Sequence, residues 1–335
     1  MVNKLRAAVV GCGRIGSEFD DDPKRKYVDT HIGAYYRSIE TDLIAVCDLD
    51  KEKALNCAKK WGVGAVYTDL NQMLKKENID ILSICTPPQT HYQLVKHAAK
   101  FPLKAIFCEK PIAVNIYQAK QMVRLCRSKR IVLQINHQRR FDELHQELRQ
   151  VVAKKKFGAV QQVSFYYSAG INNTGSHMFD LLLFLFGDAK WVQASYSVNL
   201  SHKPNDPNLD GMIKFKNGIL AGFQACDSKK YLIFDLNCFL EQAQFILKNS
   251  GLSIDFYKVG ESKYCSGYNE LYKTKPPFHI NYARNFMVNG VNQLSTCIKR
   301  KRVSISSGTD GLKALQLIES TIASAKNNGK RINLS

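Results

Sequence analysis

The chain has 335 residues, 45% of them hydrophobic, and a formal net charge of +19 at pH 7. This length is enough for two domains that bury a large core, and no apolar run reaches the ~18 residues of a membrane span. The N-terminus lacks a long apolar leader. The composition therefore predicts a soluble, cytoplasmic protein that has no membrane partner.

Basic clusters at 154–156 and 299–302 carry part of the positive charge. Such a field attracts nucleic acid or an anionic substrate. Because no nucleic-acid recognition motif accompanies it, we expect no nucleic-acid function and favour a small anionic ligand. The ten cysteines are scattered without a C-x-x-C pair, which predicts free, reduced thiols and no metal site.

A predicted strand at 6–10 runs into a G-x-G-x-x-G turn, the pattern that lets a backbone approach a diphosphate at a helix N-terminus. A second strand, 43–47, ends at Asp48. Its carboxylate would accept hydrogen bonds from ribose hydroxyls, which favours NAD over NADP, although it could instead cap the next helix. The predicted cofactor contacts at the turn are Gly11, Gly13, Arg14, Ile15 and Gly16.

The spacing between this turn and Asp48 is unusually long. Asp48 follows Gly16 by 32 residues, whereas about 20 is usual. We attribute the excess to a polar insertion, Glu18–Asp29, placed before the helix that carries 31–39. It would form either a loop beside the cofactor or a solvated surface loop without ligand contact.

Strands and helices then alternate as in a doubly wound parallel sheet. The turn Thr86-Pro87-Pro88 ends one strand and is placed to border the nicotinamide half of a dinucleotide, although a proline-set turn would explain Pro88 alone. His91, which is predicted to open the following helix, is a further candidate cofactor residue. The predicted helices are 51–61, 70–76, from His91 onward and 117–129, and the predicted strands are 65–67, 79–85, 103–108 and 131–135.

Glu109 and Lys110 follow the buried strand 103–108. Ligands bind beyond the carboxyl ends of such strands, so Lys110 is placed to touch a substrate and Glu109 to position Lys110 or the nicotinamide ribose. A surface lysine in a proline-containing turn is the alternative. Asn136 and Arg140 follow the last strand and could contact cofactor or an anionic group, and an interdomain salt bridge would equally explain Arg140.

Beyond about residue 157 the pattern becomes that of a mostly antiparallel sheet, with a hairpin turn at Lys216-Asn217-Gly218. The sequence therefore predicts a dinucleotide-binding α/β domain at 1–136 and an α+β substrate domain with a large open sheet at 137–335. The predicted strands are 160–168, 192–198, 211–215, 220–226, 239–247 and 252–259.

One apolar helix, 176–186, interrupts these strands. Asn173, His177 and Asp180 share one face if the helix begins by Asn173. The positive end of the helix dipole disfavours an imidazolium, so His177 would be neutral and able to accept a proton. The alternative is a mutually satisfied core pair of His177 and Asp180 with Asn173 as the helix cap.

The chain resembles the Gfo/Idh/MocA oxidoreductases in four ordered motifs, namely G-C-G-R-I-G, C-T-P-P-x-T-H, C-E-K-P and G-S-H-M-F-D-L-L-L-F-L-F-G-D. The resemblance implies a Rossmann domain, NAD(P), a sugar-type substrate and a homodimer or homotetramer. The family's motif lysine matches Lys110 and its motif histidine matches His177. The acidic residue often found four positions before that histidine is replaced here by Asn173. We therefore do not transfer the substrate of the inositol dehydrogenases to this chain.

The expected reaction is hydride transfer between nicotinamide and a secondary alcohol or ketone of a sugar, inositol or nucleotide sugar. His177 would exchange the hydroxyl proton, and Lys110 would stabilise charge on the oxygen. Asn173 and Asp180 would contact substrate. Two alternatives stay open: a redox-neutral, glycosidase-like enzyme that retains its NAD, and a dinucleotide-sensing protein without chemistry.

Overall fold

The structure is a computed structural model that describes residues 4–201, 203, 205–280 and 285–334. The packing divides the chain into two units, the first Met1–Asp142 with Ala283–Leu315 and the second Glu143–Tyr282 with Gln316–Ser335. This division differs from the predicted boundary at 136/137, because the first unit continues to Asp142 and also includes a C-terminal segment. Within the described residues, no helix is both long and apolar enough to span a membrane.

The first unit contains a six-stranded parallel sheet in the order β3-β2-β1-β4-β5-β6. This order is that of a Rossmann sheet and confirms the predicted fold class. Its elements up to residue 135 are β1 Leu5–Val10, α1 His31–Arg37, β2 Thr41–Cys47, α2 Lys51–Trp61, β3 Ala65–Tyr67, α3 Leu70–Lys76, β4 Ile81–Ile84, α4 Pro88–Ala98, β5 Ala105–Cys108, α5 Ile116–Ser128 and β6 Val132–Ile135.

Local sequence fixes these elements in physically simple ways. Every residue of β4 and β5 is buried, as expected for central parallel strands covered by helices on both faces. Side chains of Asp50 and Asp69 accept hydrogen bonds from the first free amides of α2 and α3. Those two helices coincide with the predicted ranges.

The prediction that His91 opens a helix is wrong. The helix α4 begins at Pro88, with Pro87 at the preceding cap position. Proline suits the first helical position because the amide hydrogen it lacks would be unpaired there. His91 therefore lies inside the first turn of α4.

The second unit contains a nine-stranded sheet in the order β14-β13-β12-β11-β7-β10-β9-β8-β15. All its neighbouring strands are antiparallel except β7 and β10, which confirms the predicted mostly antiparallel sheet. Its elements are α6 Glu143–Ala153, β7 Val160–Tyr167, α7 Gly175–Phe186, β8 Ala189–Tyr196, β9 Leu209–Phe215, β10 Leu220–Ala225, β11 Phe234–Leu240, β12 Ala243–Lys248, β13 Ser253–Glu261, β14 Asn269–Thr274 and β15 Ile332–Asn333. Helix α8, Phe286–Arg300, belongs to the first unit, and α9, Gly308–Lys326, begins in the first unit and ends in the second.

The predicted single strand at 239–247 is wrong, because the structure divides this run between β11 and β12. The two strands pair antiparallel across Glu241 and Gln242, both of which are exposed. Two consecutive polar side chains interrupt the apolar run and mark a turn. The predicted hairpin at Lys216-Asn217-Gly218 is confirmed, since it joins the antiparallel pair β9 and β10.

Candidate active site

A cavity of about 600 Å³ lies in the first unit beside Val10 of β1, Cys47 of β2 and Cys85, which follows β4. These are the carboxyl ends of three parallel strands, where open α/β sheets bind their ligands. Seven predicted cofactor residues line it: Gly11, Gly13, Arg14, Ile15, Asp48, Thr86 and Pro87.

The glycine turn is shaped for close backbone approach. Gly11 has a φ of +95°, and a Cβ there would lie 2.8 Å from the carbonyl carbon of Cys85. A Cβ on Gly16 would lie 2.1 Å from the Gly11 carbonyl oxygen, whereas one on Gly13 would meet nothing within 4 Å. Gly11 and Gly16 thus keep the turn tight and Gly13 leaves open space, so this turn fits a dinucleotide diphosphate.

Asp48 is tied to the same turn. Its Oδ2 accepts a hydrogen bond from the Cys12 amide at 2.7 Å, and its Oδ1 accepts one from the Asp50 amide at 3.0 Å. The cap of α2 is supplied by Asp50, which accepts from the amides of Glu52 and Lys53. Asp48 therefore faces the cavity and is not the helix cap.

The polar insertion, Glu18–Asp29, lies between the glycine turn and α1. The amides of His31 and Ile32 donate to the carbonyls of Ile15 and Gly16, both at 3.1 Å, so the helical hydrogen-bond pattern resumes after the insertion. Glu18 lines the cavity. The insertion therefore borders the candidate cofactor site through the side chain of Glu18.

His91 holds two turns together. Its Nε2 lies 2.8 Å from the carbonyl oxygen of Thr86 and its Nδ1 lies 3.0 Å from that of Pro111. The ring is fully buried, and the side chain is not part of the cavity lining. Its predicted contact with cofactor stays a prediction, and the hydrogen bonds give it a positioning role for both turns.

Glu109 is a buried carboxylate with several donors. His31 Nε2 lies 2.9 Å and Asn136 Nδ2 lies 2.5 Å from its Oε1, and the Lys110 amide donates to its Oε2 at 3.2 Å. Burial alone would raise the pKa of Glu109, but the hydrogen bond and charge of His31, the Asn136 amide and the charge of Lys110 together lower it. Glu109 is therefore ionised at neutral pH. It contacts Lys110 and Asn136, which the sequence predicted as site residues, and His31, which the sequence did not predict.

Lys110 is the second residue after β5 and forms a cis peptide bond with Pro111. Its positive charge, after burial and the charge of Arg140, helps to lower the pKa of His137 to about 3. Both cations therefore disfavour a positive charge on the His137 imidazole.

Arg140 forms a salt bridge inside the first unit. Its guanidinium lies 3.0 Å from Asp310 Oδ1 and donates to the carbonyl oxygen of Ile305 at 3.0 Å. Only 4% of the residue is exposed. The predicted substrate contact of Arg140 remains a prediction, whereas the observed ion pair joins the 3-10 turn Gln138–Phe141, which follows β6, to the start of α9.

The His177 segment of the second unit starts with a π-helical turn, Gly170–Thr174, which leads into α7 at Gly175. Asn173 lies in this turn, so the regular α-helical spacing assumed for it does not apply. His177 and Asn173 are half-buried, and Asp180 is buried. As predicted, α7 is apolar nearly all round and most of its residues are buried.

A carboxylate that sequence reasoning missed supports this turn. Asp206 accepts hydrogen bonds from the amides of Asn172 and Asn173 at 2.7 and 2.9 Å. A Cβ on Gly170 would lie 2.3 Å from the Asp206 carboxyl group, so glycine makes room for it. The cap of this helical segment is therefore Asp206 and not Asn173.

Comparisons with known proteins agree with the fold of this chain. The model of the Gfo/Idh/MocA family, described as an oxidoreductase family with an NAD-binding Rossmann fold, matches residues 5–137. The D-apiose dehydrogenase of Paraburkholderia graminis is 22% identical over 97% of this chain and 88% of its own length. The myo-inositol 2-dehydrogenase of Thermotoga maritima is 28% identical over 46% of this chain and 42% of its own length.

The fold has close relatives among solved structures. The WlbA dehydrogenase of Bordetella pertussis, solved in complex with NADH and UDP-GlcNAcA, has a TM-score of 0.79, with 99% of both chains covered and 20% identity. At this identity the likeness shows the fold and leaves the substrate open. The motifs, the parallel sheet and the family model agree, and residues 5–137 of this chain are similar to the NAD-binding Rossmann domain of the Gfo/Idh/MocA oxidoreductases.

Proposed function

We propose that this protein is an NAD-dependent dehydrogenase that transfers a hydride to or from a secondary alcohol or ketone of a sugar, inositol or nucleotide sugar. The observation that carries the proposal is the position of Lys110 at the carboxyl end of β5, on the same sheet edge as the glycine turn and Asp48. Relatives named as apiose and inositol dehydrogenases support the substrate class.

Lys110 would stabilise the reacting oxygen. A bound nicotinamide supplies the hydride acceptor or donor, and the oxygen gains negative charge as its proton leaves. An ammonium that is already in place stabilises this charge without reorganisation. The Glu109 carboxylate accepts a hydrogen bond from the Lys110 amide, and its negative charge stabilises the ammonium of Lys110. The pair is therefore prepared for this role.

His177 would exchange the hydroxyl proton. It lies in the first turn of α7, where the helix dipole favours the neutral imidazole. Asn173 and Asp180 would bind substrate hydroxyls, and Arg140 would add to the attraction of an anionic substrate. Each role is proposed from the residue's position in its own unit.

The cofactor preference would come from Asp48. A carboxylate on the cavity wall can accept hydrogen bonds from a ribose diol and repels a 2′-phosphate. We therefore propose NAD over NADP.

The first test compares Lys110→Met with Lys104→Met. Lys104 lies just before β5, at the opposite end of that strand, and pairs with Asp80, so its variant is a matched loss of one charge. With the sugar or polyol that the wild type oxidises fastest, we expect Lys110→Met to lower kcat by about 10²-fold or more, as for loss of one oxyanion donor. NAD affinity, measured by calorimetry, should change little.

His177→Asn is the second variant, and we expect it to lower kcat by 10²-fold or more, as for loss of a general base. Near wild-type turnover by Lys110→Met, with Lys104→Met equally active, would contradict the proposed role of Lys110. Full activity of His177→Asn would return weight to a protein that senses dinucleotides without chemistry.

A further inference from the structure

A buried hydrogen-bonded chain extends from Glu109 into the core of the first unit. His31 Nδ1 lies 2.8 Å from Ser83 Oγ, which lies 2.8 Å from Tyr35 Oη. With the contact between His31 Nε2 and Glu109, four polar side chains are joined in line. His31 and Ser83 are fully buried, and Tyr35 is 1% exposed.

The chemistry of Glu109 fixes the direction of the hydrogen bond at the carboxylate. Glu109 is ionised and can only accept, so His31 donates to it through Nε2. Burial raises the pKa of Tyr35, so its hydroxyl stays protonated and hydrogen-bonds with Ser83. The ring of His31 is thus held on both sides, by Glu109 at Nε2 and by Ser83 at Nδ1.

Other groups around Glu109 do not replace His31. Burial and the charge of Glu109 raise the pKa of Cys85 and of Cys108, which remain neutral thiols. His137 feels the charge of Glu109 but is kept neutral chiefly by its burial. Lys110 supplies the positive charge, and Asn136 supplies one amide donor to the oxygen that His31 also contacts.

We propose that His31 is a positioning residue for the reaction, because it holds Glu109 ionised and aligned beside Lys110. This inference rests on the proposed function of Lys110. It extends that function to His31, which lies 78 positions before Glu109 in the sequence. A buried carboxylate that loses a donor tends to take up a proton. A neutral Glu109 no longer stabilises the ammonium of Lys110.

The insertion contributes to the position of His31. His31 is the first residue of α1, and the cap of that helix is Thr30, the residue that follows the insertion. Thr30 Oγ1 accepts from the Gly33 amide and donates to Asp20 Oδ2 at 2.6 Å. The insertion thus fixes the start of the helix that carries His31.

The test uses four variants of the full chain. His31→Leu removes both ring nitrogens, and His31→Gln restores an amide donor toward Glu109. Tyr35→Phe is the matched control, because it removes a buried hydroxyl from the far end of the hydrogen-bonded chain and leaves all three hydrogen-bond contacts of Glu109 in place. Glu109→Gln assigns the Glu109 signal in carbon-13 spectra of protein labelled at glutamate carboxyls.

The first readout is the titration of the Glu109 carboxyl in cofactor-free protein, which does not depend on activity. We expect the titration to move to higher pH in His31→Leu, to return toward the wild type in His31→Gln, and to stay in place in Tyr35→Phe. An unchanged titration in His31→Leu, or an equal shift in Tyr35→Phe, would overturn the proposal.

The second readout is the pH profile of kcat. His31→Leu should lower kcat by roughly tenfold or more at acidic pH, in proportion to protonation of Glu109, and recover as pH rises. A loss of kcat that is equal at all pH values would indicate a merely structural role and overturn the proposal. Should Lys110→Met prove active, the proposed function fails, while the Glu109 titration still decides the role of His31 toward the carboxylate.

Discussion

We expect the carboxylate of Asp48 to determine the preference for NAD over NADP. Both of its oxygens are hydrogen-bonded to backbone amides, so the charge is fixed on the cavity wall. Lys53 also lines the cavity and could pair with a 2′-phosphate once the negative charge is removed.

We therefore expect Asp48→Asn to shift selectivity toward NADP. The amide oxygen keeps one acceptor for the Cys12 amide, but the repulsion of a 2′-phosphate is lost. The ratio of the Kd for NADP to that for NAD should fall about tenfold, measured by calorimetry. Asp50→Asn is the control, since asparagine also caps a helix and residue 50 is not part of the cavity lining. Equal ratios in both variants and the wild type would contradict the role of Asp48.

Residues whose role depends on local sequence were predictable. The glycines, Asp48 and Glu109-Lys110 follow predicted strands, and the structure places them at the ends of those strands. His31 and Asp206 were not predictable, because their partners lie 78 and 34 positions away. Such contacts are set by the fold and leave no periodic signal in one sequence.

At the scale of elements, the insertion is the feature that distinguishes the first helix. Asp20 accepts from the Asp29 amide at 2.7 Å and from the Thr30 hydroxyl, which holds the insertion against α1. Phe19 packs between Arg14 and Arg25, whose guanidinium carbons lie 4.8 and 4.0 Å from the ring centre. The insertion is therefore an ordered part of the Rossmann unit.

Gly33 gives a direct test of this packing. Replacing glycine by alanine inside a helix usually stabilises it by about 1 kcal/mol. Here a Cβ would lie 2.2 Å from Asp20 Oδ2 and 3.0 Å from Thr30 Oγ1. We expect Gly33→Ala to lower the free energy of unfolding by roughly 1–3 kcal/mol, measured by urea denaturation.

The same substitution in an Asp20→Ala background should be much less destabilising, because the clashing carboxylate is gone. A double-mutant cycle isolates this coupling. Equal destabilisation in both backgrounds would show that the insertion does not press on α1.

Elements with capping residues and clear periodicity were predicted well, as α2 and α3 show. The failures have local causes. A polar Glu241-Gln242 pair divides one apolar run into two strands, and Pro88 starts α4 three residues before His91. The π-helical turn before α7 has no sequence signature, because its geometry depends on the Asp206 carboxylate from another loop.

At the scale of the whole molecule, the sequence indicated two domains and a change from parallel to antiparallel pairing, and the two sheets confirm that change. The return of 283–315 to the first unit was not predicted. Its helix α8 packs Met287, Val291 and Leu294 into the core that contains Phe107. An amphipathic helix shows that it has an apolar face but not which unit covers it.

The charge of +19 bears on the substrate and not on the fold. A net positive field attracts anionic ligands, which supports the proposal of an anionic substrate. The family resemblance further leads us to propose a homodimer or homotetramer.

The central claim is tested most directly by absorbance at 340 nm. Purified protein is mixed with NAD and, separately, NADP, across a panel of inositols, free sugars, sugar phosphates and nucleotide sugars. We predict a rise with at least one class of polyol or sugar, faster with NAD than with NADP. A flat response across the panel, from protein shown by calorimetry to bind NAD, would contradict a dehydrogenase and favour a redox-neutral enzyme or a dinucleotide sensor.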